Sequence, residues 1–232
     1  MYRIVLESPF FKKKIVSYGL IVVARSTGRM VAVQRRHSVE FLTLIAGSFR
    51  QGFLPFLLSK VTMKERQQLS ALATVGKSYF QQLYHRLNLF PSLLSVEYAW
   101  TVWCDNRDRI LFYLKHGTYI NNELTWLWPK GRVSNESLYD CALREFKEEV
   151  DITLPAPLYK SDRWLTVTLR TIDHREVECR YWIYMIEDEI ELPIANNHIE
   201  VEERRWMSLQ ECRDNMRIAI PEELETFVKK IM

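Results

Sequence analysis

Between Leu127 and Ile152 the sequence reads Leu-Trp-Pro-Lys-Gly-Arg-Val-Ser-Asn-Glu-Ser-Leu-Tyr-Asp-Cys-Ala-Leu-Arg-Glu-Phe-Lys-Glu-Glu-Val-Asp-Ile, and this stretch constrains the fold most tightly. At about 100° per residue, a helix here sets Glu145, Glu148 and Glu149 within roughly 100° of one another. Tyr139, Ala142, Leu143, Phe146 and Val150 fall on the adjoining arc, the stripe that packs on a sheet. Three crowded carboxylates repel one another unless cations neutralise them, and hard oxygen donors suit Mg²⁺ or Mn²⁺. A charged run of this kind is usually a solvated helix face with internal ion pairs. What shifts the balance is a joint match to a family pattern, in Pro129-Lys130-Gly131 upstream, the seven-residue gap between Glu136 and Arg144, and the hydrophobic Phe146.

Gly131, Glu136, Arg144, Glu145, Phe146, Glu148, Glu149 and Ile152 together resemble a Nudix box spanning 131–152. Two positions depart from the family pattern. Only four residues separate Gly131 from Glu136, one fewer than usual, and Asp151 replaces the second glycine. Asp tolerates the left-handed conformation of a helix C-terminus better than most residues. The resemblance implies an α/β fold, the Nudix α/β/α sandwich with a mixed sheet, and metal-dependent hydrolysis of a pyrophosphate attached to a nucleoside. It also implies that Glu145, Glu148 and Glu149 bind Mg²⁺ or Mn²⁺, that the Gly131 carbonyl is a further metal ligand, that Arg144 orients a carboxylate, and that Lys130 holds phosphate.

A narrower resemblance rests on residues outside the box. Val33-Gln34-Arg35-Arg36-His37-Ser38, a long helical insertion, Thr62 to Arg66 and Trp128-Pro129-Lys130-Gly131 are similar to the mRNA-decapping Nudix hydrolases of large DNA viruses, of the poxvirus and African swine fever virus type. The poxvirus enzymes also lack the second glycine. That likeness implies capped mRNA as substrate, a host-cytoplasmic location, and a further carboxylate six residues before a last-strand aromatic, here Glu200 before Trp206.

The chain's 232 residues allow one large domain or two small ones, and a 47% apolar content argues against disorder. No run of 18 apolar residues occurs, so a soluble, unprocessed protein without signal peptide or membrane span is expected. Cys104, Cys141, Cys179 and Cys212 form no Cys-x-x-Cys pair, which suggests neither a zinc site nor a disulfide framework. The net charge of +3 conceals an asymmetry: residues 1–99 carry 14 Lys+Arg against 4 Asp+Glu, and residues 100–232 carry 18 against 25. A basic half that attracts a polyanion and an acidic half that holds metals suit an enzyme acting on nucleic acid.

Residues 1–38 are expected to open the core with a hairpin, Tyr18 to Ala24 and Met30 to Gln34, ending at Arg35 and Arg36, two candidate phosphate ligands. Residues 39–122 form a mainly helical insertion. Within it, Thr62-Met63-Lys64-Glu65 is a capping box, Gly76 a stop, Phe80 to Leu87 a helical repeat and Pro91 a break, while Tyr98 to Leu114 suits helix or strand. Its Lys60, Lys64, Arg66 and Lys77 are expected to meet the RNA body. Residues 123–232 complete the core with strands at Leu124–Trp128, Trp164–Leu169 and Tyr181–Ile186 and a terminal helix from Pro221. Thr74 to Ser78 ends like a phosphate-binding loop, but Ala71 stands where that motif needs glycine.

A methylated, cationic cap base gains both stacking and cation–π energy, so aromatic rings near the metal helix are its expected holders. Trp126, Trp128, Tyr113, Phe41 and Trp182 are the candidates, although most such rings fill cores. The expected function is mRNA decapping. The alternatives are hydrolysis of a diphosphoinositol or dinucleoside polyphosphate, or a catalytically silent RNA- or cap-binding protein.

Overall fold

The computed structural model describes residues 15–87, 95–120, 124–170, 176–195, 198–216 and 218–232. The expected break at Pro91 and the expected insertion boundary at 122–123 lie outside these residues. Two compact units emerge, the first comprising Met1–Met30, Trp128–Glu189 and Ile218–Met232, the second Val31–Leu127 and Ile190–Arg217.

In the first unit β1 (Ile15–Ala24) and β7 (Glu176–Ile186) run parallel over ten residue pairs, from Ile15 opposite Val177 to Ala24 opposite Ile186. Leu20 to Ala24 are fully buried, so β1 reads as a continuous apolar run, as a strand covered on both faces should. β6 (Leu165–Arg170) and β5 (Tyr159–Lys160) pair antiparallel with β7, and β4 (Lys130–Gly131) pairs antiparallel with β1. The sheet is therefore mixed. Gly19 faces Lys130 in that pairing, where a Cβ would strike the Pro129 carbonyl and the Tyr181 ring. α6 (Leu138–Val150) lies across β1, burying Cys141, Ala142, Phe146 and Val150. α8 (Glu222–Ile231) adds Leu224 and Val228 to the core.

The second unit holds β2 (Met30–Arg35), whose Val33 and Gln34 pair with β3 (Trp126–Leu127), and β8 (Val201–Met207), which also pairs with β2. Its helices are α1 (Val39–Ile45), α2 (Leu54–Lys60), α3 (Met63–Val75), α4 (Lys77–Arg86), α5 (Val96–His116) and α7 (Leu209–Asn215). The expected capping box opens α3, and Gly76, at φ +89°, separates α3 from α4. The stretch compatible with helix or strand is the single 21-residue α5, capped by Ser95 and buried along Ala99, Trp103, Asn106 and Ile110. α1, α2 and α7 lack a sequence periodicity long enough to announce themselves.

Glu65 ties the helices together. Its carboxylate, 2% exposed, accepts from the Ser38 amide and hydroxyl at 2.7 and 2.8 Å and from the Thr62 amide at 2.8 Å, and His37 Nδ1 stands 3.7 Å away. One side chain thereby serves the N-termini of both α1 and α3. Burial pushes the carboxyl pKa up, but the contacts from His37, Ser38 and Thr62 outweigh it and hold the group below its ordinary 4.5. Glu65→Ala is expected to cost about 3 kcal/mol, because three buried donor groups lose their acceptor. Because the folded-state pKa is lowered, this stabilisation is complete above pH 4.5 and fades as pH falls through the folded value. Urea melts of both proteins at pH 7 and in acid should show a gap that narrows in acid.

Candidate active site

The acidic helix α6 is fixed at both ends. The Ser137 hydroxyl accepts from the Asp140 amide at 3.1 Å, and Asp151 adopts the left-handed conformation (φ 62°, ψ 35°) with its amide donating to the Lys147 carbonyl. The absent glycine is thus replaced by a residue that takes the same backbone state. Beside the helix, Tyr18 on β1 lies opposite Gly131 on β4. A Cβ built on Gly131 would fall on the Glu145 carboxylate, so Glu145 occupies the notch that the missing side chain leaves.

Arg144 gathers the neighbouring carboxylates. Its Nη1 lies 2.8 Å from Glu145 and 2.7 Å from Glu148, while its Nε and Nη2 donate to Glu136 at 3.1 and 2.8 Å and Nη2 also reaches the Arg132 carbonyl. Hydrogen bonding to Glu136, opposed by burial and reinforced by Glu145 and Glu148, raises the guanidinium pKa further. The same Arg144 contact lowers that of Glu136. Glu149, 9% exposed, points elsewhere and accepts from the Lys130 amide at 3.0 Å. Glu136 therefore anchors the arginine despite the shortened loop.

The NUDIX domain model matches residues 97–228, more than half of the chain. The chain belongs to the Nudix family. It is a Nudix hydrolase domain, of the class of pyrophosphatases that act on nucleoside-diphosphate-linked substrates. No match is found among curated protein sequences. Similar solved structures include a C. elegans Ap4A hydrolase, at 13% identity and TM-score 0.43, covering 94% of this chain and 95% of that one. Another is the Francisella tularensis bifunctional NMN adenylyltransferase/ADP ribose pyrophosphatase complexed with AMP and a manganese ion, at 12% identity and TM-score 0.47, covering 98% of this chain and 44% of that one. The MutT protein of Methanosarcina mazei shares 14% identity at TM-score 0.40, covering 94% of each chain.

Nudix hydrolases typically use divalent metals, and the donor set here fits a hard cation. Glu136, Glu145, Glu148 and Glu149 set four carboxylates against the one guanidinium of Arg144. Negative charge is left over. Glu145 and Glu148 approach the same arginine nitrogen, and the glycine notch admits the Glu145 carboxylate beside the Gly131 backbone. Among the described residues, no three His, Cys, Asp or Glu side chains already converge as a metal cage, because Arg144 and the Lys130 amide take up the carboxylate oxygens. Glu148, with its side chain 56% exposed, is the member freest to exchange its guanidinium contact for a cation.

The other expected site residues divide by environment. Glu200 belongs to the second unit, exposed just before β8, where its carbonyl accepts from the Arg36 amide. Arg36 itself pairs with Glu202 at 2.9 Å and donates to the Ala195 carbonyl, and Arg35 is half-buried at the end of β2. Arg66 reaches the carbonyls of Leu58 and Leu114, binding α3 to α2 and α5 as a helix clamp. Lys77 pairs with Glu97 at 2.7 Å and Lys64 with Glu202 at 3.8 Å, so both already face carboxylates. Lys60 stands 6.0 Å over the Phe56 ring.

Among the aromatic candidates, Phe41 and Trp128 are fully buried, Phe41 stacked on His37 and Trp128 edge-on to Tyr181. Rings so enclosed offer no face to a base and fill core instead. Trp126, 6% exposed, is covered by the Arg205 guanidinium, and Tyr113 lies on α5. Sequence reading named Trp182 but missed the cluster around it on the first unit. Trp182 meets Tyr18, Tyr139 and Trp164, and the Arg180 guanidinium sits over both Tyr18 and Trp164 at 5.7 and 4.8 Å while pairing with Glu178 at 2.6 Å. Its only sequence signal is strand alternation of Glu178, Arg180 and Trp182.

Gly131→Ala is expected to lower kcat about 100-fold, since about 1 Å of misplacement at a reacting centre has that effect. The fold should persist, because the added methyl meets only the flexible end of Glu145. Glu148→Gln should likewise abolish turnover without loss of stability, as removing one of several like charges relieves repulsion. Steady-state turnover of a pyrophosphate substrate, read beside thermal melts, checks both.

Proposed function

We propose that this Nudix hydrolase decaps mRNA, cleaving the 5′ cap pyrophosphate with water to yield capped nucleoside diphosphate and 5′-monophosphate RNA. The observation that carries this reading is a cation already held on aromatic faces beside the acidic helix. Tyr18 is directly opposite Gly131, and residues opposite each other in an antiparallel pair project to the same face. The Tyr18 ring therefore shares its face with the notch that receives Glu145. From Tyr18 the cluster continues through Arg180 to Trp164, which remains 40% exposed, with Glu178 as the counter-charge. A methylated guanine is a planar cation, as the Arg180 guanidinium is, and an exposed indole face favours such a cation. An inositol pyrophosphate has only a puckered, saturated ring, with no planar π-face for such a surface to stack.

Arg144, held by Glu136, keeps Glu145 and Glu148 in place, and the Lys130 amide orients Glu149. Bound Mg²⁺ or Mn²⁺ supplies the charge that polarises a bridging phosphate and lowers the pKa of water. Glu145, Glu148, Glu149 and the Gly131 carbonyl hold the ions in this reading. Lys130, half-buried beside the notch, offers its ammonium to substrate phosphate. Glu148 and Glu149 are the candidate proton acceptors.

The test is product analysis with cap-labelled RNA, methylated and unmethylated, beside a dinucleoside polyphosphate and a diphosphoinositol polyphosphate. Methylated capped RNA should have the highest kcat/KM, with Trp164→Ala reducing the preference for methylation by about 3- to 30-fold, the span of one cation–π contact. A higher kcat/KM on either small pyrophosphate would overturn the reading.

A further inference from the structure

The helices of the second unit carry a second aromatic site that the acidic helix does not explain. α2 and the last turns of α5 flank an open groove of about 420 Å³ lined by Pro55, Phe56, Ser59, Phe112, Tyr113 and His116, among others. Phe112 is 59% exposed and Phe56 46%, an unusual expense of apolar surface for side chains with no core to fill. The rings form a graded wall: Phe112 meets His116 at 5.1 Å and stands edge-on to Tyr113 at 5.5 Å. Lys60 lies over Phe56 at one side, and Lys115 is exposed beside His116 at the other. Across residues 39–122 there are nine Lys and Arg against five Asp and Glu, so the surroundings favour a polyanion.

We propose that this groove stacks a base of the RNA body downstream of the cap, with Lys60 and Lys115 meeting the flanking phosphates. The inference rests on the reading that the substrate is RNA. A single-stranded chain supplies what the site asks for, flat apolar rings joined by negative charge, and aromatic platforms edged by cations are how such strands are held without sequence preference. The placement of the charges matters. The C-terminal end of α5 presents carbonyl oxygens, an unfavourable setting for a phosphate. The base therefore enters among the rings while the phosphates stay at the lysine rim. Phe56 and Phe112 are exposed because their partner is a ligand.

The experiment measures binding of a short, unstructured 5′-monophosphate RNA by fluorescence anisotropy. This RNA lacks the scissile linkage, so its affinity is independent of the decapping reaction. Phe112→Ala should raise Kd about tenfold, within the range of one base–aromatic stack, and Phe112→Trp should restore affinity. The salt dependence should be unchanged by Phe112→Ala but flattened by about 0.7 in log–log slope by Lys115→Ala. Because Phe112 is largely exposed, the alanine variant is expected to fold, and circular dichroism checks this. An unchanged Kd in folded Phe112→Ala overturns the proposal, as does equal weakening for a free cap dinucleotide too short to reach a second site. If the uncapped RNA shows these effects but capped RNA is not cleaved, the pocket stands and decapping alone falls.

Discussion

One guanidinium facing several carboxylates is the interaction on which the active site depends. Arg144 cannot neutralise Glu136, Glu145, Glu148 and Glu149 together, and its bonds reach only the first three. Its service is positional: a planar fork fixes where each oxygen lies, which a lysine, a single point of charge, does not. The residual negative charge makes the helix face receptive to cations. The apolar arc of the same helix supplies the anchorage, since Phe146 and Val150 are fully buried.

Much of this was legible in the sequence because it is local. Helical spacing placed Glu145 and Glu148 together beside Arg144, Asp151 announced its left-handed cap, and Thr62 with Glu65 signalled the start of α3. Each signal depends on residues a few positions apart. What escaped depends on pairing across long separations. Tyr18, Trp164 and Trp182 become neighbours only when β1, β6 and β7 align, and no pattern within any one strand encodes that register. Phe41 and Trp128 were credible stacking platforms by composition, and only their burial separates core from platform. Short helices such as α1 and α2 offer too few turns for a period to be read.

The Thr62 to Arg66 segment shows how a motif can carry architecture instead of chemistry. Thr62 caps α3, Glu65 collects amides from two helix starts, and Arg66 crosses to carbonyls of α2 and α5. Four helices thus meet at one short stretch. The aromatic groove between α2 and α5 inherits its shape from that clamp, because Arg66 bonds to Leu58 and Leu114, residues adjacent to its walls. A cationic side chain taken up in this way organises the helices around it.

The notch at Gly131 ties catalysis to strand register. β4 is only two residues long, so its alignment on β1 has little ladder energy to enforce it. A slip by one residue would exchange the faces of Lys130 and Gly131, since side chains alternate along a strand. The Lys130 stem would then fill the space that Glu145 uses, and the Glu149 acceptor would lose its amide. Such a molecule would keep its apolar core and pass as native by most measures of folding, yet be silent as an enzyme. A two-residue ladder thereby sets the register of the candidate site, a dependence that stability measurements alone would not detect.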